Sequence, residues 1–419
     1  MPPAPAPAPT DPKIAFRRVL GAEAVSNLGS MLSRLAIPWF ATLALDATPW
    51  QMGWLLVADV AAGAAGALWL GGWVDRQPAR RVMLLTDGLR ALLLLTLAGL
   101  AAAGWLSWWM LALAAGLSGL WSVGFELARS AWLARASASQ TLAERNAALS
   151  ATGSVVEAVA FGIGGWLYQG LGAVAALALD GLSYLASALC LRGVPEARPA
   201  AGEPEAHPPA ASLWPDVRTG FTTLWQHPAL RSLAGIEALT ALAVSVTGTS
   251  YMIYVSRDLG LALGPLGMVF ALGGLGSLAG AALAPALGRR WGPGRAMTLG
   301  LAAMAVGACF IPLASGAGWG ALVLLALHQL VGDAGHTLRN VHDATWRQTA
   351  APPDRLARVD GSLRSIGHAV TLAGALGGGA AATAWGARTA LAVSAGLLGL
   401  AALASFTWLA RRRSAPVPA

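Results

Sequence analysis

Four carboxylates fall deep inside long apolar runs of this chain: Asp59, Glu157, Asp180 and Asp333. Arg34, Glu237, His328 and His336 stand in similar runs. A charge at the centre of a bilayer costs at least ~2.5–3.5 kcal/mol on insertion scales, so an acid kept there has a task. Two tasks suit it. It can hold neighbouring helices together, or it can load and release a proton as water reaches it from alternate sides. For each residue taken singly both tasks remain open. Glu157, Asp59, Asp333 and His336 are the candidates for coupling to protons or another cation, since imidazole also exchanges protons near neutral pH. Asn27, Arg34, Trp54, Asp180, Glu237 and Tyr251 are the candidates for the wall of a substrate cavity, with Arg34 a counter-charge for one of the acids. Asp87 with Arg90, and Glu126 with Arg129, are spaced for pairing on one helix face.

Other chemistries find no support. There is no His-Glu-x-x-His, no Gly-x-Ser-x-Gly and no paired-metal cluster, so the chain does not read as an enzyme. The sole lysine is Lys13 and there is no phosphate-binding Gly-Lys-Ser/Thr loop, which argues against ATP-driven work. Cys190 and Cys309 lie in apolar stretches and read as small buried hydrophobes. No cofactor and no metal are expected.

The elements that carry these charges follow from composition. Of 419 residues, 56% are hydrophobic and 11% charged. A soluble domain carries about 25% charged residues, so the solvent of this chain is mostly lipid. A net charge of +8 suggests nucleic acid, but the arginines sit in short clusters between apolar runs and form no continuous basic surface. A span needs roughly 20 mainly apolar residues. The sequence predicts twelve: 16–44, 51–74, 82–104, 107–131, 145–169 and 172–193, then 228–256, 263–288, 295–314, 318–342, 359–384 and 387–410. This divides the chain into a Pro/Ala tail (1–15), a six-helix bundle (16–193), a linker (194–227), a second bundle (228–411) and a short tail (412–419). The linker carries five prolines between 195 and 209, then Leu213, Val217, Phe221 and Leu224 at helical spacing, an amphipathic surface helix.

Every second loop is basic, at Arg76, Arg80 and Arg81, at Arg289, Arg290 and Arg295, and at Arg347 and Arg355. The intervening loops hold only Arg257 and Arg388. By the positive-inside rule both termini are expected in the cytoplasm, with Trp50, Trp105, Trp109 and Trp319 at the opposite membrane edge. The two bundles repeat one another: Arg129 answers to Arg339, Arg145 to Arg358, and Gly164–Gly165 to Gly377–Gly378. Glycine crowds four spans, at Gly63 and Gly66, Gly164 and Gly165, Gly276 and Gly280, and Gly377 and Gly378. Small residues let helices approach closely in lipid, so these eight are expected where the two bundles meet.

Gly71-Gly-Trp-Val-Asp75-Arg76-Gln-Pro-Ala-Arg80-Arg81 resembles the signature between the second and third helices of the major facilitator superfamily. Pro78 replaces the inner glycine of that pattern, and Gly288-Arg-Arg-Trp-Gly-Pro-Gly-Arg295 is a degenerate copy. Ser26-Asn27-Leu-Gly29-Ser30, Phe125-Glu-Leu-Ala-Arg129, Asp180-Gly-Leu-Ser183-Tyr184 and His227-Pro228-Ala-Leu-Arg231 are similar to the macrolide-efflux and enterobactin-exporter branch. The antiporter pattern Gly-Pro-x-x-Gly-Gly appears as Ala160-Phe161-Gly-Ile-Gly164-Gly165, without its Gly-Pro. The resemblance implies an all-α membrane protein of the major facilitator fold, with two pseudo-symmetric six-helix bundles packed span 2 on 11 and 5 on 8. Span 5 borders the central cavity of that fold, which puts Glu157 first among the coupling candidates. Gly71, Asp75, Arg76, Arg80 and Arg81 would form a gating loop. The implied function is proton-driven export of an amphiphilic drug, macrolide or siderophore from a bacterial cytoplasmic membrane by a monomer. A lipid or nutrient facilitator, or a membrane sensor that does not transport, are the alternatives.

Overall fold

The computed structural model describes residues 12–74, 76–137, 139–196, 213–350 and 355–414, and all regular structure among them is helical. The N-terminal bundle holds α1 (Pro12–Leu43), α2 (Pro49–Val74), α3 (Ala79–Ala102), α4 (Trp108–Ala136) and α5 (Ser139–Leu191). A short α6 (Leu213–Gln226) follows. The C-terminal bundle holds α7 (Pro228–Ile253), α8 (Leu263–Trp291), α9 (Pro293–Leu313), α10 (Trp319–Ala350), α11 (Leu356–Trp385) and α12 (Ala387–Ser414). A π-turn, Tyr254–Asp258, extends α7.

α5 is two spans in one. At 53 residues it is about twice the length a bilayer needs. It reverses at Gly172, whose φ of 81° and ψ of 175° lie in a region essentially closed to residues with a Cβ. The two limbs, 139–171 and 173–191, are the fifth and sixth of twelve crossings. The described part of the N-terminal tail is helical: α1 begins at Pro12, so residues 12–15 belong to the first span, and α12 likewise takes in residues 412–414.

Helix neighbours repeat between the bundles. α2 packs on α4 as α8 packs on α10, and α3 on α4 as α9 on α10; α3 packs on α5 as α9 packs on α12. The bundles meet through α2 with α11 and α5 with α8. One hydrophobic core crosses both, joining Trp39, Met52 and Leu177 to Tyr254, Leu263 and Ile311 at the end remote from the chain termini. At the terminal end each bundle keeps its own core, Val19, Met83, Phe125 and Trp132 in one and Leu230, Met297, Val359 and Leu398 in the other. The bundles are therefore closed at one end and separate at the other.

The glycines are distributed differently from the expectation. Of the eight singled out, only Gly165 touches the opposite bundle, against the Leu263 carbonyl of α8. Gly63 and Gly66 face Val123 and Leu120 on α4, Gly164 faces Leu32 on α1, and Gly276 and Gly280 face the backbone of α10. Gly378 packs on Val246 of α7, and Gly377 has open space. Close approach is needed within each bundle as much as between them, so helix crowding by glycine does not name the partner. The contact between bundles instead uses Gly53 against Ala375, Gly379 against Pro49, and Gly267 against Phe161.

Candidate functional site

Glu157 on α5 and Asp333 on α10 come from opposite bundles and act on one another electrostatically. Asp333 Oδ2 lies against Gly273 of α8, and the next residue, Gly274, packs on Ala158 of α5. Asp333 and the residue after Glu157 thus meet adjacent residues of α8. Among the described residues neither is in an ion pair. A row of rings runs beside them. Phe161 of α5 and Phe270 of α8 have centroids 5.7 Å apart, Phe270 and Tyr251 of α7 are also 5.7 Å apart, and Tyr251 lies 6.1 Å from the His328 ring of α10. The Tyr251 side chain is buried, and its hydroxyl has no hydrogen-bond partner among the described residues. His328 is fixed by a 3.0 Å contact from Nδ1 to the Gly307 carbonyl.

On the N-terminal wall Arg34 of α1 acts electrostatically on Asp59 of α2, and no ion pair joins them. Asp59 Oδ1 lies where a Cβ at Gly119 of α4 would be, so that glycine makes room for it. Arg34 and Asp59 are exposed, as is Glu157, so these charges face open space rather than a packed interior.

Other candidates belong elsewhere. Asp180 is 2% exposed and sits in the interior of the N-terminal bundle, beside Gly29 and Ser183. There Asp87 binds Arg90 at 2.6 Å and accepts a hydrogen bond from Ser187 at 2.7 Å. The Arg90 guanidinium lies 4.2 Å over the Tyr184 ring, and Tyr184 pairs with Ser30 at 2.7 Å. Asp180 is thus a part of the fold of one bundle, where its charge meets Arg90. Glu237 does not face the acid pair; it binds Arg339 across α7 and α10. His336 joins that cluster through Asn340, whose amide donates to its Nε2 at 2.8 Å, and does not join Asp333. Together Glu237, Arg339, Asn340, Asp343, Arg347 and Arg364 line a cleft of about 180 Å³. Trp54 is half exposed and packs on Trp50, its ring centroids 6.1 Å away, so its ring partner is another belt tryptophan. Asn27 is half-buried on α1.

Arg129 pairs with Glu23 of α1 rather than with Glu126, one turn away on its own helix. In the candidate gating loop Asp75 lies outside the described residues. A Cβ at Gly71 would meet nothing within 4 Å, and Arg76 and Arg81 are exposed. Arg80 donates to the Arg192 carbonyl at 2.7 Å, tying this loop to the end of the sixth crossing.

Sequence reasoning missed Phe161 and Phe270 as site residues, since isolated aromatics in an apolar run carry no periodic signal. It also missed Arg257, which pairs with Asp46 at 2.7 Å and binds the Thr42 carbonyl, joining the π-turn to the end of α1 across the bundles. Its place as one of only two arginines in the otherwise arginine-free loops of that side was the available signal.

Two helical bundles related by repetition, closed over charged groups at their joint, define a membrane transporter. The major facilitator superfamily model matches residues 19–359, and the chain belongs to that family. Solved structures of similar fold include the nucleoside transporter NupG, at TM-score 0.77 and 13% identity over 94% of this chain and 98% of that one. A bacterial homologue of the iron transporter ferroportin in an inward-facing state is similar at TM-score 0.72 and 18% identity, over 94% and 98%. A bacterial homologue of the lysosomal transporter Spinster gives 0.69 and 15%, over 97% and 99%. No curated protein matches the sequence.

Proposed function

We propose that this transporter exports an amphiphilic small molecule, a drug, macrolide or siderophore, in exchange for protons. It works as a monomer in a bacterial cytoplasmic membrane with both termini in the cytoplasm. The observation that supports the reading is the placement of Glu157 and Asp333 on opposite bundles beside the same stretch of α8, neither in an ion pair among the described residues. A carboxylate at the joint of the two bundles can take up a proton, or the cationic group of a ligand, from whichever side reaches it. Rocking of one bundle over the other would expose them to each side in turn, so that proton loading on one side is coupled to release on the other. Arg34 and Asp59 would form a second, self-neutralising charge pair on the N-terminal wall. With the termini in the cytoplasm, the described state is open inward and closed outward, and Arg257 with Asp46 would belong to the outer gate. Gly71, Asp75, Arg76, Arg80 and Arg81 would form the inner one.

The test is transport in proteoliposomes with an imposed pH gradient. Glu157→Gln is expected to abolish gradient-driven movement while the protein folds and binds ligand normally. Full activity in that variant would remove Glu157 from the coupling step. Movement down a concentration gradient that ignores pH would favour a facilitator, and binding without any turnover would favour a sensor.

A further inference from the structure

Resting on the transporter reading above, we propose that the substrate is a lipophilic organic cation whose charge sits between Glu157 and Asp333 over the Phe161–Phe270–Tyr251 row. The charge balance comes first. Asp333 and the residue after Glu157 meet adjacent residues of α8, Gly273 and Gly274, and neither acid is in an ion pair among the described residues, while Arg34 acts on a different acid, Asp59. An anionic ligand would meet repulsion from both acids, which argues against an acidic siderophore. A cationic one would supply the missing counter-charge.

The second observation is the aromatic row. It crosses the joint between the bundles, from α5 through α8 to α7, with successive centroids 5.7 Å apart. Ring faces attract cations and at the same time accept apolar bulk, a pairing that suits a diffuse organic cation. The third is Tyr251. Its side chain is more than nine-tenths buried, Asp333 acts on it electrostatically, and its hydroxyl has no partner among the described residues. A buried hydroxyl left unpaired is costly, and a substrate with an acceptor beside its cationic group would satisfy it, whereas the phosphonium used below reads the charge and the rings alone.

A small metal ion fits less well. Among the described residues no three His, Cys, Asp or Glu side chains are grouped to hold one, and His328 has its Nδ1 engaged by the Gly307 carbonyl. Of the neighbouring rings, Phe161 and Phe270 carry no ligand atom.

The experiment uses two ions of the same shape and opposite charge, tetraphenylphosphonium and tetraphenylborate. Equilibrium binding to the purified full chain in detergent is measured for both. Saturable binding of the phosphonium, at least tenfold tighter than the borate, is expected. Equal or tighter binding of the borate would overturn the proposal. The double variant Glu157→Gln/Asp333→Asn, eluting as a monodisperse peak, should lose at least tenfold in phosphonium affinity; undiminished affinity would overturn the assignment to these acids. Should that variant fail to fold, Phe270→Leu decides instead, with a severalfold loss expected and no loss counting against the site. Manganese(II) added as competitor should leave the phosphonium bound, and its displacement would overturn the organic-cation class. Phosphonium binding without gradient-driven movement in proteoliposomes would sink the proton-exchange reading and leave the site standing. Proton-driven movement of an uncharged amphiphile, with no phosphonium binding, would sink the site alone.

Discussion

Arg339 of α10 binds Glu237 of α7, on the same pair of helices that in the other bundle join Arg129 of α4 to Glu23 of α1. Each pair links the first and fourth crossings of its bundle. The repetition is therefore of interactions as well as of helices. A guanidinium placed in this way bridges two helices that have little else polar to hold them in lipid.

Breaking one of these pairs should unfold its bundle more easily. Arg339 is 6% exposed and Glu237 33% exposed, so removing the arginine strands a carboxylate that water reaches only in part. We expect Arg339→Ala to cost about 2–3 kcal/mol, less than the ~3–5 kcal/mol of a fully buried pair because of that partial exposure. Thermal unfolding in detergent should show a clear fall in Tm. Arg364→Ala, a change in the same cleft at an exposed side chain, should leave Tm almost unchanged.

The link between Arg257 and Asp46 should bias the closed end. Asp46 is 95% exposed, so its ion pair contributes about 0–1 kcal/mol, and the bond from Arg257 to the Thr42 carbonyl adds to it. Arg257→Ala is expected to raise the population open at that end severalfold. Spin labels at Leu43 and Trp385, in a background without Cys190 and Cys309, would report this as a longer distance component. An unchanged distribution would exclude Arg257 from the latch.

Gly165 and Gly377 make a matched contrast. A Cβ at Gly165 would press on the Leu263 backbone, whereas one at Gly377 meets nothing within 4 Å. Gly165→Ala should hold the bundles apart at the closed end and reduce transport, with the label pair at Leu43 and Trp385 showing the separation. Gly377→Ala should behave as the parent protein.

Gly172→Ala should destabilise the reversal of α5. The φ of 81° and ψ of 175° there cost a residue with a Cβ about 1–3 kcal/mol. The fall in Tm should not be reproduced by Gly170→Ala, two residues away, where a Cβ meets nothing within 4 Å.

Much of the fold was legible in the sequence. The lipid solvent, the positions of the crossings, the duplication and the amphipathic α6 followed from hydropathy and charge along the chain. These are local properties: whether a run of residues can cross a bilayer is decided by the run itself. Asp87 and Arg90 were legible for the same reason, being one turn apart on a single helix.

The placement of Glu157 and Asp333 beside the same stretch of α8, the choice of Glu23 over Glu126 by Arg129, and the confinement of Asp180 to one bundle were decided only in three dimensions. So was the difference between neighbours Gly164 and Gly165, which face α1 and α8. Successive residues on a helix point about 100° apart. The sequence therefore gives each side chain its direction relative to its own helix axis. The rotation of that axis among its neighbours is set by packing, and packing alone chooses which side chains meet.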